Sequence, residues 1–455
     1  MLTQLSMDNF KSWKRIEKMR LAPITGLFGT NSSGKTSILQ LLLMLKQTIE
    51  SSDRAQVLEF GDEKSLTNLG SFREAVYGHE KPGVINFSLN WNLSEPLDVK
   101  DPESKTDTLL TADHLAFQCS VGENGADRLA VTSLEYDVNG NRFVLKRKGQ
   151  SGAKYELTNE NEESEGIRFT RTQGRVWDLP APVKFYGFPD QVYAYYQNAG
   201  FLSDLQLEFE KLFGLLYYLG PLREFPQRHY PWKGSEPADM GRRGERVVDA
   251  LLASQQKGPY ISPGFKRKKQ TLEERIAHWL KELGLIHDFK VEPIAKGSSI
   301  YQVRVQKTPG SAEVLITDVG FGVSQILPVL VLCYYVPPGS IILLEQPEIH
   351  LHPSVQSRLA DVFVDAVKNR RVQIIVESHS EHLLRRLQRR VAEQVITPEE
   401  AALYFCQVGE AGSKLTPLDL DLYGNIRNWP KDFFGDEFGE MAETTKAAML
   451  RKRAE

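Results

Sequence analysis

The sequence holds only three cysteines in 455 residues, Cys119, Cys333 and Cys406. Far apart and odd in number, they supply neither a disulfide framework nor a spaced metal site, and a reducing cytoplasm is the expected setting. No charge sign dominates either. The 56 basic and 59 acidic side chains leave a net charge of −3, so no global field selects a polyanion and any DNA contact must come from a local patch. Long apolar runs are missing as well: the longest, residues 326–336, falls far short of the roughly 20 residues a membrane-spanning helix needs. The opening MLTQLSMDNFKSWKR has no apolar leader segment. Neither a repeat nor a sustained heptad pattern occurs, so long coiled-coil arms are not expected. What is present is an apolar content of 41%, enough to build one large discontinuous domain or two to three ordinary ones.

The patterning divides the chain. An apolar run at residues 21–28 ends in glycine and is followed by a helix carrying Ile38, Leu39, Leu42 and Leu45. Residues 85–185 alternate apolar and polar side chains in runs such as HLAFQCSV, LAVTSLEYDV, RFVLKRKG and IRFTRT, broken by turn signals such as Asn139-Gly140, which predicts antiparallel strands. Residues 186–260 are rich in aromatics, with 201–218 the best helix candidate, and an amphipathic helix is expected over 272–283. From residue 314 helices (326–335, 354–367, 381–391) alternate with buried strands (340–344, 372–376), the pattern of a parallel α/β core. The expected organisation is a mixed sheet with flanking helices, formed by residues 1–90 and 301–410. An α+β arm is inserted at 91–300, and a tail follows at 411–455.

Gly29-Thr30-Asn31-Ser32-Ser33-Gly34-Lys35-Thr36 fits GxxxxGK[ST] at every fixed position, between a buried strand and a helix. Backbone N–H groups and the helix N-terminus there cradle phosphate, Lys35 reaches the β- and γ-phosphates, and the Thr36 hydroxyl ligates Mg2+; the expected ligand is ATP with magnesium. Asn31, Ser33 and Ser37 belong to the same phosphate-facing stretch. The apolar strand ending at Glu345 suits the acid that holds the magnesium, and His379, closing the next buried strand, suits a neutral imidazole that senses the γ-phosphate. Gly320, Gly322 and Ser324, with Gln325, open an apolar helix and expose N–H donors, a second anion-binding arrangement. Two phosphate sites suit two copies packed head to tail.

Taken together, the P-loop, Glu345, the HLH turn before Pro353, His379 and the glycine turn resemble the ABC-type P-loop ATPases of the SMC, RecF and OLD class. Asn9-Phe10-Lys11-Ser12-Trp13 looks like their entry motif, whose basic residue, here Lys11, lies near the phosphates. Residues 319–327, 344–353 and 421–435 resemble bacterial AAA-family ATPases of anti-phage defence and mobile-element loci. The resemblance implies a homodimer closed on ATP, with residues 29–36, Glu345 and His379 of one copy facing Gly320, Gly322 and Ser324 of the other. Two departures matter. Gly320 stands where the pattern usually has serine, and Gln346 stands where a glutamate normally activates water. Glutamine orients a water without accepting its proton, which leaves Glu348 as the base or positioning alone as the means, and slow turnover is expected.

Other signals in the sequence are weaker. His350, His352 and His382 read as turn and surface residues rather than metal ligands. Lys266-Arg267-Lys268-Lys269 and Arg385-Arg386-Leu387-Gln388-Arg389-Arg390 are the two patches at which DNA contact stays open. Arg223, in a Pro-flanked stretch, suits either the nucleotide or an ordinary surface turn, and residues 69–73 suit a coupling loop. Only about 75 residues follow His379, with no acidic DxD cluster after a strand, so a separate nuclease or toxin effector is expected in place of a fused nuclease. The leading functional expectation is an ATPase whose nucleotide-dependent dimerisation controls DNA engagement or such an effector in anti-phage defence or repair. The alternative is a nucleotide-loaded scaffold that sequesters a toxic partner with little turnover.

Overall fold

A computed structural model describes residues 1–79, 83–100, 108–123, 128–149, 154–161, 167–172, 177–258, 260–264, 266–430, 433 and 437–454. Its centre is a six-stranded sheet. In spatial order the strands are Gly412–Pro417, Ala401–Gly409, Ile24–Gly29, Gln373–Glu377, Ile341–Glu345 and Leu216–Leu219. All pair in parallel except the outer hairpin of Ala401–Gly409 with Gly412–Pro417. The Ile24–Gly29, Ile341–Glu345 and Gln373–Glu377 strands are buried at every position, as apolar strands covered on both faces must be. Register sets Glu345 beside Glu377, Glu377 beside Leu27, and Cys406 beside Gly29. The carboxyl ends of the parallel strands therefore share one rim, the place where open α/β sheets bind ligands.

Alternation along these strands divides the interior in two. On one face Leu27, Leu343, Ile375, Tyr404 and Cys406 pack with the P-loop helix Lys35–Glu50 and a seven-stranded antiparallel sheet. On the other, Ile24, Phe28, Ile342, Leu344, Ile374 and Val376 pack with the helices Val247–Lys257, Leu272–Glu282, Phe321–Tyr335, Pro353–Arg370 and Glu381–Ala392. The antiparallel sheet runs Trp13–Arg20, Leu2–Phe10, Val84–Lys100, Thr108–Glu123, Leu129–Val138, Asn141–Arg147, Tyr155–Asn161. Its inner face holds Phe87, Phe117 and Tyr136, with Phe185 and Phe209 packed on them. Asn139 and Gly140, at φ 53° and 82°, make the tight turn the sequence predicts. A small third sheet joins Tyr230–Pro231, Ile300–Gln306 and Asp288–Pro293, with Glu313–Leu315 on its edge.

Several expectations need correction. The helix expected over 201–218 is Leu202–Gly214, after which the chain turns into the strand Leu216–Leu219; its Leu-Tyr-Tyr-Leu pairs beside Ile341–Leu344, where sheet burial outweighs helical continuation. The helix expected from 326 begins at Phe321, although Pro328 withholds the N–H that would bond the Ser324 carbonyl. Residues 167–172 make only an isolated bridge, Arg171 to Tyr196, because Phe169 is drawn onto Phe143 and Phe201 instead. The strand Val84–Lys100 runs across the boundary expected at residue 90, and Leu216–Leu219, from within 91–300, belongs to the central sheet.

In the tail, Gln388 donates to the Gly424 carbonyl at 2.8 Å, Arg385 stacks over Trp429 at 4.2 Å, and Phe433 packs edge-on against Phe28 and Phe405. Lys431, Asp432, Phe434 and Gly435 lie outside the described residues. Among the described residues, no helix is long and apolar enough to cross a membrane.

Candidate nucleotide site

The P-loop takes its shape from two glycines. Gly29 has φ 137°, and a Cβ there would sit 1.9 Å from the Cys406 carbonyl oxygen. Gly34 has φ 86°, and a Cβ would meet Ser12 Oγ, Ser413 Oγ and Trp13 Nε1 at 2.5–2.7 Å. Those neighbours brace the loop: Trp13 Nε1 donates to the Gly34 carbonyl at 2.8 Å, and the Ser12 and Ser413 hydroxyls bond at 2.7 Å. The entry motif thus supports the P-loop through Ser12 and Trp13. Lys11 is placed differently from the expectation, since its ammonium donates to the Leu69 carbonyl at 3.1 Å, near the capping box of Ser71 and Glu74. The coupling-loop candidate is therefore tied to the hairpin tip beside the P-loop.

Within the loop Asn31 is exposed and Ser33 buried, and Ser37 donates its N–H to the Gly34 carbonyl. Lys35 folds back onto the loop, donating to the Thr30 carbonyl at 2.6 Å and the Gly29 carbonyl at 3.1 Å. Burial lowers its pKa, against the pull of Glu377, Cys406 and Glu348. With the Ser33 hydroxyl at 3.4 Å as its further acceptor, an ammonium held by neutral loop oxygens is poised to exchange them for phosphate oxygens.

Facing Lys35 is a group of buried acids. Thr36 Oγ1 donates to Glu377 at 2.8 and 3.0 Å. Glu345 accepts from the Tyr218 hydroxyl at 2.9 Å, and burial, reinforced by Glu377, pushes its carboxyl up to about 7. Burial also raises Glu377 and Glu348. Glu348 accepts from the His379 main-chain N–H at 2.6 Å through one oxygen, while the other is buried without a partner among the described residues. Gln346 is held in a left-handed turn at φ 43°, with its N–H on the Glu377 carbonyl at 2.9 Å and its side chain on the Glu377 carboxylate. Burial, then the charge on Lys35, lowers His379, which keeps its imidazole neutral near pH 7, as a phosphate sensor requires. Arg223 is buried here too, donating to the Glu345 carbonyl at 3.3 Å.

Magnesium fits this donor set. The Thr36 hydroxyl and the carboxylates of Glu345 and Glu377 are hard oxygens, and the upward shifts mark a site short of positive charge. Among the described residues no three of His, Cys, Asp and Glu form a metal cage. Water and phosphate oxygens would supply the ion's remaining ligands, the habit of Mg2+. Sequence reasoning had missed Glu377 and Tyr218. The signal for the first was present, since residues 372–377 end an apolar strand in an acid just as 340–345 do.

The glycine turn is held apart from these groups. Among the described residues its contacts run to Phe225, His350 and Leu351 rather than the P-loop. Gly320 is exposed, caps the Phe321–Tyr335 helix and would leave an added Cβ in open space among the described residues, whereas a Cβ at Gly322 would touch Leu351, His350 and Leu285 at 3.7–3.8 Å. Ser324 is buried and spends its hydroxyl on the Phe321 carbonyl at 2.8 Å, so main-chain N–H groups are what this turn offers an anion. His352 caps the Pro353–Arg370 helix, and His350 packs against Phe321.

Residues 244–385, which take in the glycine turn, the acid strand and the switch strand, match the family described as an AAA domain, putative AbiEii toxin, Type IV TA system. Over these residues the chain is similar to that AAA-domain family. Residues 396–443 match a family described as a protein of unknown function (DUF3696). No curated protein matches the chain. Among solved structures, it is similar to an SMC head bound to the C-terminal winged-helix domain of ScpA, at 11% identity and a TM-score of 0.45, covering 92% of this chain and 98% of that one. The SMC head domain from Thermotoga maritima aligns at 11% identity and 0.41, covering 92% and 99%. The Smc head with an extended coiled coil bound to a ScpA C-terminal domain from Pyrococcus furiosus aligns at 10% identity and 0.43, covering 92% and 96%.

Proposed function

We propose that this protein is an ABC-type P-loop ATPase that binds and slowly hydrolyses ATP, and that ATP closes two copies head to tail. The observation that carries the reading is the convergence at one rim of a P-loop lysine held only by carbonyls and loop hydroxyl, a Thr36–Glu377 contact, and a second strand-end acid at Glu345. Residues 29–37 cradle the phosphates, with Lys11 behind the loop. Thr36, Glu345 and Glu377 would hold magnesium, whose chemistry there is to neutralise the β- and γ-phosphate oxygens. Gln346 orients the attacking water. Glu348 keeps one buried oxygen without a partner among the described residues, and it accepts that water's proton while His379 steadies it through its main-chain N–H. Gly320, Gly322 and Ser324 of a second copy would meet the γ-phosphate through the exposed N-terminus of their helix, so closure requires triphosphate.

In this reading the composite core comes mainly from residues 1–90 and 301–410 and is completed by the strands Leu216–Leu219 and Gly412–Pro417, with the rest of 91–300 as the arm and the rest of 411–455 as the tail. The partner we propose is a separate nuclease or toxin, in anti-phage defence or repair inside the cell, and the toxin–antitoxin wording of the matched family supports that setting. DNA contact through residues 385–390 is disfavoured, because Arg385, Arg386, Arg389 and Arg390 pair with Glu381, Asp361 and Glu393. That leaves the exposed residues 266–269 as the candidate DNA patch. A second reading has a specific motive: Gln346 favours a long-lived loaded state, in which the protein sequesters a toxic partner with little turnover. Phosphate release measured with and without DNA separates the two. DNA-stimulated release supports the first, whereas an ATP-dependent complex with a neighbour-encoded protein and negligible release supports the second. ATP binding unchanged by Lys35→Ala would sink both.

A further inference from the structure

Arg223 lies in the loop that leaves the edge strand Leu216–Leu219, whose Leu219 is in register with Leu344 of the acid strand. The loop therefore starts from the same rim as the P-loop, and it is pinned: Gly220 and Glu224 donate their N–H groups to the Arg242 and Arg243 carbonyls at 2.8 and 2.9 Å. Its flanking residues Leu222 and Phe225 are 73% and 64% exposed, yet Arg223 is only 6% exposed. One terminal nitrogen, Nη2, donates to the Glu345 carbonyl at 3.3 Å, and the other, Nη1, is buried with no partner among the described residues. Glu348, 5% exposed, likewise keeps one oxygen unpartnered, and the two groups are near enough to attract. A buried guanidinium nitrogen without an acceptor is costly, and its retention beside an acid rim marks a place for a ligand acceptor.

We infer that Arg223 is a cis arginine that donates to the terminal phosphate of bound nucleotide, and so distinguishes ATP from ADP. The inference rests on the ATPase reading and deepens it. A guanidinium presents fixed, always-charged donors matched to phosphate oxygens, and its second nitrogen, already anchored on the acid strand, fixes the direction of the first. A purely structural Arg223 would tie the Glu345–Gln346 turn and affect both nucleotides alike.

The test is a calorimetric titration of the full chain with Mg-ATP and Mg-ADP, comparing wild type, Arg223→Gln and Arg223→Lys, with thermal melts of each. The expected result is an ATP Kd raised roughly 10- to 100-fold in Arg223→Gln, an ADP Kd within about threefold of wild type, and partial recovery of ATP binding in Arg223→Lys. Equal weakening of ATP and ADP, or no change in either, overturns the inference. If Arg223→Gln does not fold, Arg223→Lys decides by the same ATP-to-ADP ratio. Wild type that binds neither nucleotide would instead remove the ATPase reading beneath it.

Discussion

Gln346 is where the site departs from what water activation ordinarily asks of a side chain. In this state its amide is spent on Glu377, and its main chain sits in the strained left-handed region at φ 43°. Gln346→Glu is therefore expected to act in two directions. Steady-state phosphate release should rise by about 100-fold, the usual contribution of a well-placed base. The metal-free protein should melt earlier, because another carboxylate joins Glu345, Glu348 and Glu377 with only Lys35 and Arg223 nearby as counter-charge. Glu348→Ala should lower release by about 100-fold with ATP affinity retained, and no change in either variant would discard both residues as contributors. The P-loop, Glu345 and His379 were legible in the sequence because each sits at a fixed place in a motif. Glu377, Tyr218 and Arg223 were less legible, because their roles come from parallel register and from a strand read as the end of a helix.

At the scale of elements, the helix Glu381–Ala392 shows how a charge run is neutralised by packing. Arg386 and Arg390 both donate to Asp361 on the neighbouring helix, at 2.8 and 2.6 Å, with all three side chains largely buried. Burial alone would raise the Asp361 carboxyl, but these hydrogen bonds and charges outweigh it and hold the group below its ordinary 3.8. A depressed acid stabilises the fold above its unfolded pKa, and that contribution is lost as pH falls through the folded value. Asp361→Asn should thus cost about 3 kcal/mol in denaturant melts near neutral pH, since it leaves Arg386 without its carboxylate and Arg390 with Glu393 alone, and the gap from wild type should shrink below pH 3.8. A gap that does not narrow in acid would refute the pairing. The brace under the P-loop makes a different demand: Trp13→Phe removes one hydrogen bond worth about 1 kcal/mol. It should weaken ATP binding about fivefold while the melt moves little, because the ring still fills its pocket. Helices and strands from residue 314 onward were legible from their period, whereas 167–172 failed because aromatic packing took Phe169 out of the strand pattern.

At the scale of the whole molecule, the proposed closure needs two incomplete half-sites, and the separation of the glycine turn from the P-loop is what makes them incomplete. Wild type with Mg-ATP should double its mass in light scattering, and Lys35→Ala should stay monomeric. Equal association with and without ATP would end the dimer proposal. The central sheet has a further consequence through its strand Ile24–Gly29, which turns Leu27 toward one interior and Ile24 and Phe28 toward the other. Neither half owns a complete wall. Cleavage or mutation that loosens either side strips the partition from both, so the chain is expected to melt in a single step and to yield no stable proteolytic half.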